Sequence, residues 1–215
     1  MSQVACVTEY QTAAQLNPIE KAKPEVVPVF SERDLHSPYV HPEMSNAVCD
    51  LHDTKFFQEE VLRLVNHLRA REQICGTKKM AASGPVVWSA RLQAAAFEHS
   101  AQMAATNLFS HTSLDGRQLR DRVLVTGYQY RRIGENIAAG KIDIAKVIKG
   151  WLESPPHCEE MLHPEFTEIA VACVEKKNSF YTRYWTMNLG QPLSLAQPYS
   201  AHSMTDGKVN QKQLP

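Results

Sequence analysis

The chain has 215 residues, enough for one large domain or for one ordinary domain with appendages. Apolar residues make up 43% and charged residues 21%, the composition of a soluble globular protein. The 23 Lys and Arg balance 23 Asp and Glu, which argues against a general binder of nucleic acid or anionic membrane, and no apolar run is long enough to span a bilayer.

The opening MSQVACVTEYQTAAQL has neither a basic start nor an apolar core, so it does not read as a secretory signal. On that reading the chain stays in the cell, or its export signal lies outside this sequence. Residues 1–54 hold five of the twelve prolines (Pro18, Pro24, Pro28, Pro38 and Pro42), no glycine and no sustained hydrophobic period. Each proline fixes its own φ and turns its predecessor away from helix, which predicts a mostly irregular N-terminal arm over 1–54. The polar residues 193–215 predict a loose C-terminal tail, leaving 55–192 as the folded domain.

Within that domain Phe57, Val61, Leu64, Val65 and Leu68 follow a helical period and predict a helix over about 56–72. Ser89 is placed to cap a second helix over about 89–107, with Leu92, Ala96, His99 and Met103 along one face. A short third helix over about 117–125 ends at Gly127, which suits a left-handed position. A fourth starts near Asp143, carries Ile144, Val147, Ile148 and Trp151, and is halted by Ser154-Pro155-Pro156. The pattern then changes. The apolar run between Glu168 and Glu175 and the aromatic, alternating segment Tyr181–Leu189 read as strands joined through Lys176-Lys177-Asn178-Ser179. Helices followed by an antiparallel hairpin imply an α+β or layered αβα fold, and no glycine-rich phosphate loop opens any helix.

Five cysteines leave at least one thiol unpaired within a monomer, and composition alone leaves the compartment open. Cys173, in mid-strand among apolar residues, reads as a buried free thiol. Cys6 and Cys49 in the arm either pair with each other or stay free.

Four segments in order resemble the CAP superfamily (cysteine-rich secretory, antigen 5 and pathogenesis-related-1 proteins), in its bacterial SCP-like branch. They are Trp88–Leu92 with Ala95–Ala104; Phe109-Ser110-His111 with Asp115-Gly116, Arg122 and Gly127-Tyr128; Gly134–Gly140 leading to Val147 and Trp151; and Ser154–Cys158 with Pro164, Phe166 and Tyr184-Trp185-Thr186. The resemblance implies a three-layer αβα sandwich around a central antiparallel sheet. It also implies a cavity gathering His111, Glu135 and His157, and a Cys75–Cys158 disulfide that would place the protein in an extracellular, periplasmic or cell-envelope setting.

Two imidazoles and a carboxylate are suitable ligands for a divalent metal such as zinc, so His111 and His157, with Glu135, are the candidate metal ligands. The resemblance is incomplete here. Ser154 stands where eukaryotic members carry a second acidic residue, with Glu153 one step away, and Pro156 replaces the glycine before the second histidine. No firm catalytic residue emerges. There is neither an HExxH helix nor a GxSxG elbow, and Ser110 adjoins His111 too closely for general-base geometry. His99 reads as a buried structural histidine, His163 as a loop residue, and His36, His41 and His52 as solvated. Three functions follow, with the first favoured: a binding module for a lipid, peptide or cell-wall ligand; a metal-dependent hydrolase using His111, Glu135 and His157; and a structural envelope protein whose arm makes the contacts. Nucleic acid is not an expected partner.

Overall fold

The computed structural model describes residues 3–7, 49, 55–140 and 142–193. Among these residues five helices, α1 (Lys55–Arg69), α2 (Ala90–Thr106), α3 (Leu119–Val125), α4 (Ile144–Glu153) and α5 (Pro155–Met161), enclose a five-stranded sheet. Its strands are β1 (Gln3–Val7), β4 (Val87–Trp88), β5 (Tyr130–Ala139), β6 (Glu168–Glu175) and β7 (Arg183–Pro192), in the order β1-β5-β7-β6-β4. A separate small hairpin pairs β2 (Gln73–Cys75) with β3 (Lys78–Met80). All pairings in the large sheet are antiparallel except β4 with β6, which is parallel.

Side-chain alternation explains the layers. Trp185, Met187 and Leu189 of β7, with Ile169, Val171 and Cys173 of β6, join the core formed by α1, α4 and α5. The intervening residues face α2. Ala170 packs with Leu92 and Ala95, while Ser100 donates to Thr186 Oγ1 at 2.8 Å and Asn188 donates to the Leu92 carbonyl at 3.3 Å. A sheet covered on both faces needs apolar residues on both, which is why β6 reads as a continuous apolar run. The three-layer αβα fold expected from the resemblance is therefore the fold observed.

Several local features depart from the sequence reading. Gln3–Val7, in the stretch read as an irregular arm, forms an edge strand along β5, with Cys6 in register with Asn136. The rest of that arm apart from Cys49, including His36, His41 and His52, and the tail beyond 193 lie outside the described residues. The Pro155-Pro156 pair ends α4 but also begins α5, since the first helical turn needs no amide donors there. Ser89 occupies the α2 N-cap position without a side-chain cap bond, whereas Asp143 accepts from the Lys146 amide as a cap on α4.

The cysteine reading divides. Cys75 and Cys158 form the disulfide the resemblance implied, with a Cα separation of 5.5 Å. The reading of Cys173 as a free thiol is corrected: it pairs with Cys49 at a Cα separation of 4.8 Å, which also removes the Cys6–Cys49 alternative. A disulfide sulfur and a buried thiol both occur in apolar mid-strand positions, so the sequence does not separate them.

Gly134 is required by close approach. A Cβ there would collide with the Glu160 carboxyl and the Phe166 ring. Gly134→Ala is expected to cost about 2–3 kcal/mol in urea melts, the usual penalty of overpacking a well-filled site. A wild-type midpoint in that variant would show that α5 yields easily.

Glu160 itself is buried, and burial pushes its carboxyl up to about 7 against the opposing charge of Arg132. Between the ordinary carboxylate range and about pH 7 the folded protein keeps a proton that the unfolded chain has released, so this group lowers stability as pH rises across that window. His99 acts oppositely. Burial holds it down to about 4, so its contribution to stability grows between about pH 4 and 6.5. Glu160→Gln leaves the His99 effect uncovered, and its melting temperature should climb more steeply from pH 4.5 to 8 than the wild type's. The relative gain over that span is roughly 2–3 kcal/mol. Parallel pH profiles would mean that Glu160 titrates normally.

Candidate functional site

The site is assembled from the loop between α2 and α3, the buried face of α3, and β5. α2 ends at Asn107 in the left-handed conformation, and the loop then folds on itself. Ser113 donates its amide to the Arg117 carbonyl at 2.9 Å, and Gly116, with φ of 84°, closes a turn back to Ser113. Asp115 accepts from the Arg117 side chain at 2.7 Å, and Arg117 also reaches Glu98 on α2, so the loop is tied to the helix beneath it. α3 follows with a reciprocal Gln118/Asp121 capping box.

Arg122, fourth in α3 and fully buried, organises everything around it. One guanidinium nitrogen donates to the His111 carbonyl at 3.2 Å, to Ser113 Oγ at 3.1 Å and to the Arg117 carbonyl at 3.1 Å. The other donates to both Glu135 oxygens, at 3.0 and 2.8 Å. A single side chain thus fixes the loop that carries His111 and the carboxylate that His111 meets. The planar fork of arginine suits this double duty in a way a lysine ammonium does not.

Glu135 is only 1% exposed, and its Oε1 lies 2.8 Å from His111 Nδ1 and 3.8 Å from His99 Nε2. Burial alone would raise its carboxyl. The His111 hydrogen bond and the charges of His99 and Arg122 outweigh burial and hold it below the ordinary carboxylate range. A carboxylate only accepts, so His111 carries its proton on Nδ1 and, when neutral, keeps a lone pair on Nε2. That nitrogen is itself buried and has no hydrogen-bond partner among the described residues, while the His111 side chain as a whole is 13% exposed.

The three expected site residues are placed unequally. His111 and Glu135 meet. His157 stands in α5, its Nδ1 2.7 Å from Ser154 Oγ and its carbonyl accepting from Asn136 at 3.0 Å. Asn136 follows Glu135 on one extended strand, so their side chains leave opposite faces, and α5 packs on the face away from α2 and α3. Among the described residues no group of three or more His, Cys, Asp or Glu is arranged to hold a metal ion. Both Glu135 oxygens are already engaged by Arg122. This donor set does not fit a three-ligand metal centre, and His111 Nε2 is left buried without a hydrogen-bond partner among the described residues. Ser110 Oγ accepts from the Thr112 amide at 3.1 Å and so serves the loop rather than the imidazole.

The sequence reading did not assign Arg122 or His99 to the site. The one available signal was chemical: a buried arginine needs an acceptor, and Glu135 supplies it from another element.

Comparison with known proteins gives a consistent outcome. The sequence profile of the CAP family, described as the cysteine-rich secretory protein family, matches residues 62–189. Two Bacillus subtilis proteins are similar. The uncharacterized membrane protein YlbC is 30% identical over 59% of this chain and 33% of its own length, and the uncharacterized protein YkwD is 31% identical over 55% and 43%. The matched segment thus spans less than half the length of either relative. Among solved structures, an extracellular SCP-domain protein from Bacillus anthracis superposes with a TM-score of 0.51 at 26% identity, covering 62% of this chain and 40% of that one. An outer surface protein of Borrelia burgdorferi gives 0.52 at 18% identity, covering 65% and 92%, a likeness of fold alone.

Proposed function

The chain belongs to the cysteine-rich secretory protein (CAP) family, and on that footing we propose that it is a binding module of the cell exterior or envelope whose recognition point is the imidazole of His111. The observation that carries this reading is the Arg122–Glu135–His111 chain of contacts. It commits the carboxylate to orientation and leaves His111 Nε2, a buried nitrogen without a hydrogen-bond partner among the described residues, as the group a ligand would have to reach. A ligand that donates a hydrogen bond to this nitrogen, whether a peptide, a cell-wall fragment or the polar end of a lipid, suits it. Two disulfides support an oxidising compartment, as does likeness to the Bacillus anthracis extracellular protein.

Hydrolysis by His111, Glu135 and His157 has weaker support. Its three groups are not gathered in one place: His157 stands on the other side of β5, and Glu135 is buried and paired with Arg122. The test is incubation of the purified protein with defined lipid, peptide and muropeptide pools, followed by native mass spectrometry. Saturable uptake that His111→Ala abolishes, with melting unchanged, supports the reading. Equal uptake by that variant removes His111 from the recognition point.

A further inference from the structure

The loop joining β6 to β7 carries an apolar tip that the site above does not use. Phe180 is 82% exposed, yet it is not loosely held. Its amide donates to Asn107 Oδ1 at 2.7 Å, and the same oxygen accepts from the Tyr184 hydroxyl at 3.2 Å. Ser179 is tied back to the Lys176 carbonyl through both its amide, at 3.0 Å, and its hydroxyl, at 2.7 Å. Edge-on ring contacts run from Phe180 to Tyr181 at 5.3 Å and from Tyr181 to the buried Tyr184 at 5.9 Å. Leu108, 38% exposed, adjoins Asn107, and Phe109 packs on Tyr181 at 5.8 Å. The exposed ring is therefore anchored at its base and projected outward by the fold.

Charge distinguishes this tip from an ordinary stray aromatic. Residues 105–114 and 176–183 contain no Asp or Glu, while Lys176, Lys177 and Arg183 lie in the second segment. Arg183 is neutralised by Glu175 at 2.7 Å, which leaves the two lysines, both exposed. Lys176 also donates to the Ala105 carbonyl, so its charge is pinned beside the C-terminal end of α2. The balanced net charge of the whole chain hides this local excess.

We propose that the β6–β7 tip docks on an anionic lipid surface, Phe180 and Leu108 entering the headgroup–acyl boundary while Lys176 and Lys177 face the lipid phosphates. Aromatic rings settle at that boundary, and each nearby lysine adds electrostatic attraction that salt screens. The association is reversible, because one ring and two charges are a modest anchor.

The test is co-sedimentation of the full chain with vesicles of phosphatidylglycerol and phosphatidylcholine, against phosphatidylcholine alone, at low and high salt. The expected result is binding to the anionic vesicles only, weakened by salt. Phe180→Ala should weaken it roughly tenfold or more, from the transfer of one aromatic side chain, and Lys177→Gln about fivefold. Both substitutions are at exposed positions, so their melting should match the wild type. No sedimentation at low salt, equal binding to both vesicles, or undiminished binding by Phe180→Ala would each overturn the proposal. So would a Phe180-dependent dimer in light scattering without vesicle binding, which would assign the tip to a second copy of the chain.

Discussion

Arg122→Met should cost about 3–5 kcal/mol of folding stability, because it leaves the Glu135 carboxylate buried without its cation. The loss is a large fraction of the total for a domain of this size. It comes with a second consequence: the His111 carbonyl, Ser113 Oγ and the Arg117 carbonyl all lose a donor at once. Adding Glu135→Leu should recover much of the loss, since removing both members of a buried pair is far cheaper than removing one. Urea melts of the wild type, the two single variants and the double variant measure the coupling directly. Additive effects would mean that the pair is not a unit, and the ordering of the His111 loop would need another cause.

The second large effect concerns Cys75 and Cys158, which close a loop with a sequence separation of 83 residues. In the chain-entropy model such a closure contributes about 4–5 kcal/mol by restricting the unfolded chain. The bridge also ties α5, and with it His157, to the small β2–β3 hairpin. The Cys75→Ala/Cys158→Ala double variant should therefore melt well below the wild type under non-reducing conditions, and added reductant should narrow the gap. The remaining difference is then the packing change at the two alanines. A double variant as stable as the oxidised wild type would show that the unfolded chain is already confined there by other contacts.

The parts of the fold that were legible in the sequence are those where periodicity and turn chemistry agree. α1, α2, α4 and the β6–β7 hairpin follow their hydrophobic periods, and α3 ends before Gly127, which adopts the left-handed conformation its position suggested, with φ of 75°. β5 was not legible as a strand. Its sequence, Tyr130–Ala139, carries Arg131, Arg132, Gly134, Glu135 and Asn136, a poor strand pattern by composition. Each departure has a local reason: Gly134 makes room for Glu160, Glu135 meets Arg122, and Asn136 bonds α5. The chemistry-bearing residues are the ones that obscure the strand.

The same holds for the site. His111 and Glu135 were found through resemblance, and their contact follows in the structure. Arg122 was invisible as a site residue because a seven-residue helix carries too short a period to mark its buried face, and its partner lies on another element. The separation of His157 from the pair depends on which face of β5 each residue occupies. That is fixed by the register of the strand, which sequence spacing between words does not contain.

Glu135, held by Arg122, fixes the tautomer of His111 and leaves Nε2 without a partner among the described residues. Nitrogen-15 NMR of histidine-labelled protein near pH 7.5 tests it most directly, with His111→Gln used to assign the resonance. The expected spectrum shows a protonated Nδ1 and an unprotonated Nε2 for His111, with Glu135→Gln shifting the population toward a mixture. A His111 already protonated on Nε2 in the wild type, or a tautomer indifferent to Glu135→Gln, would contradict the account.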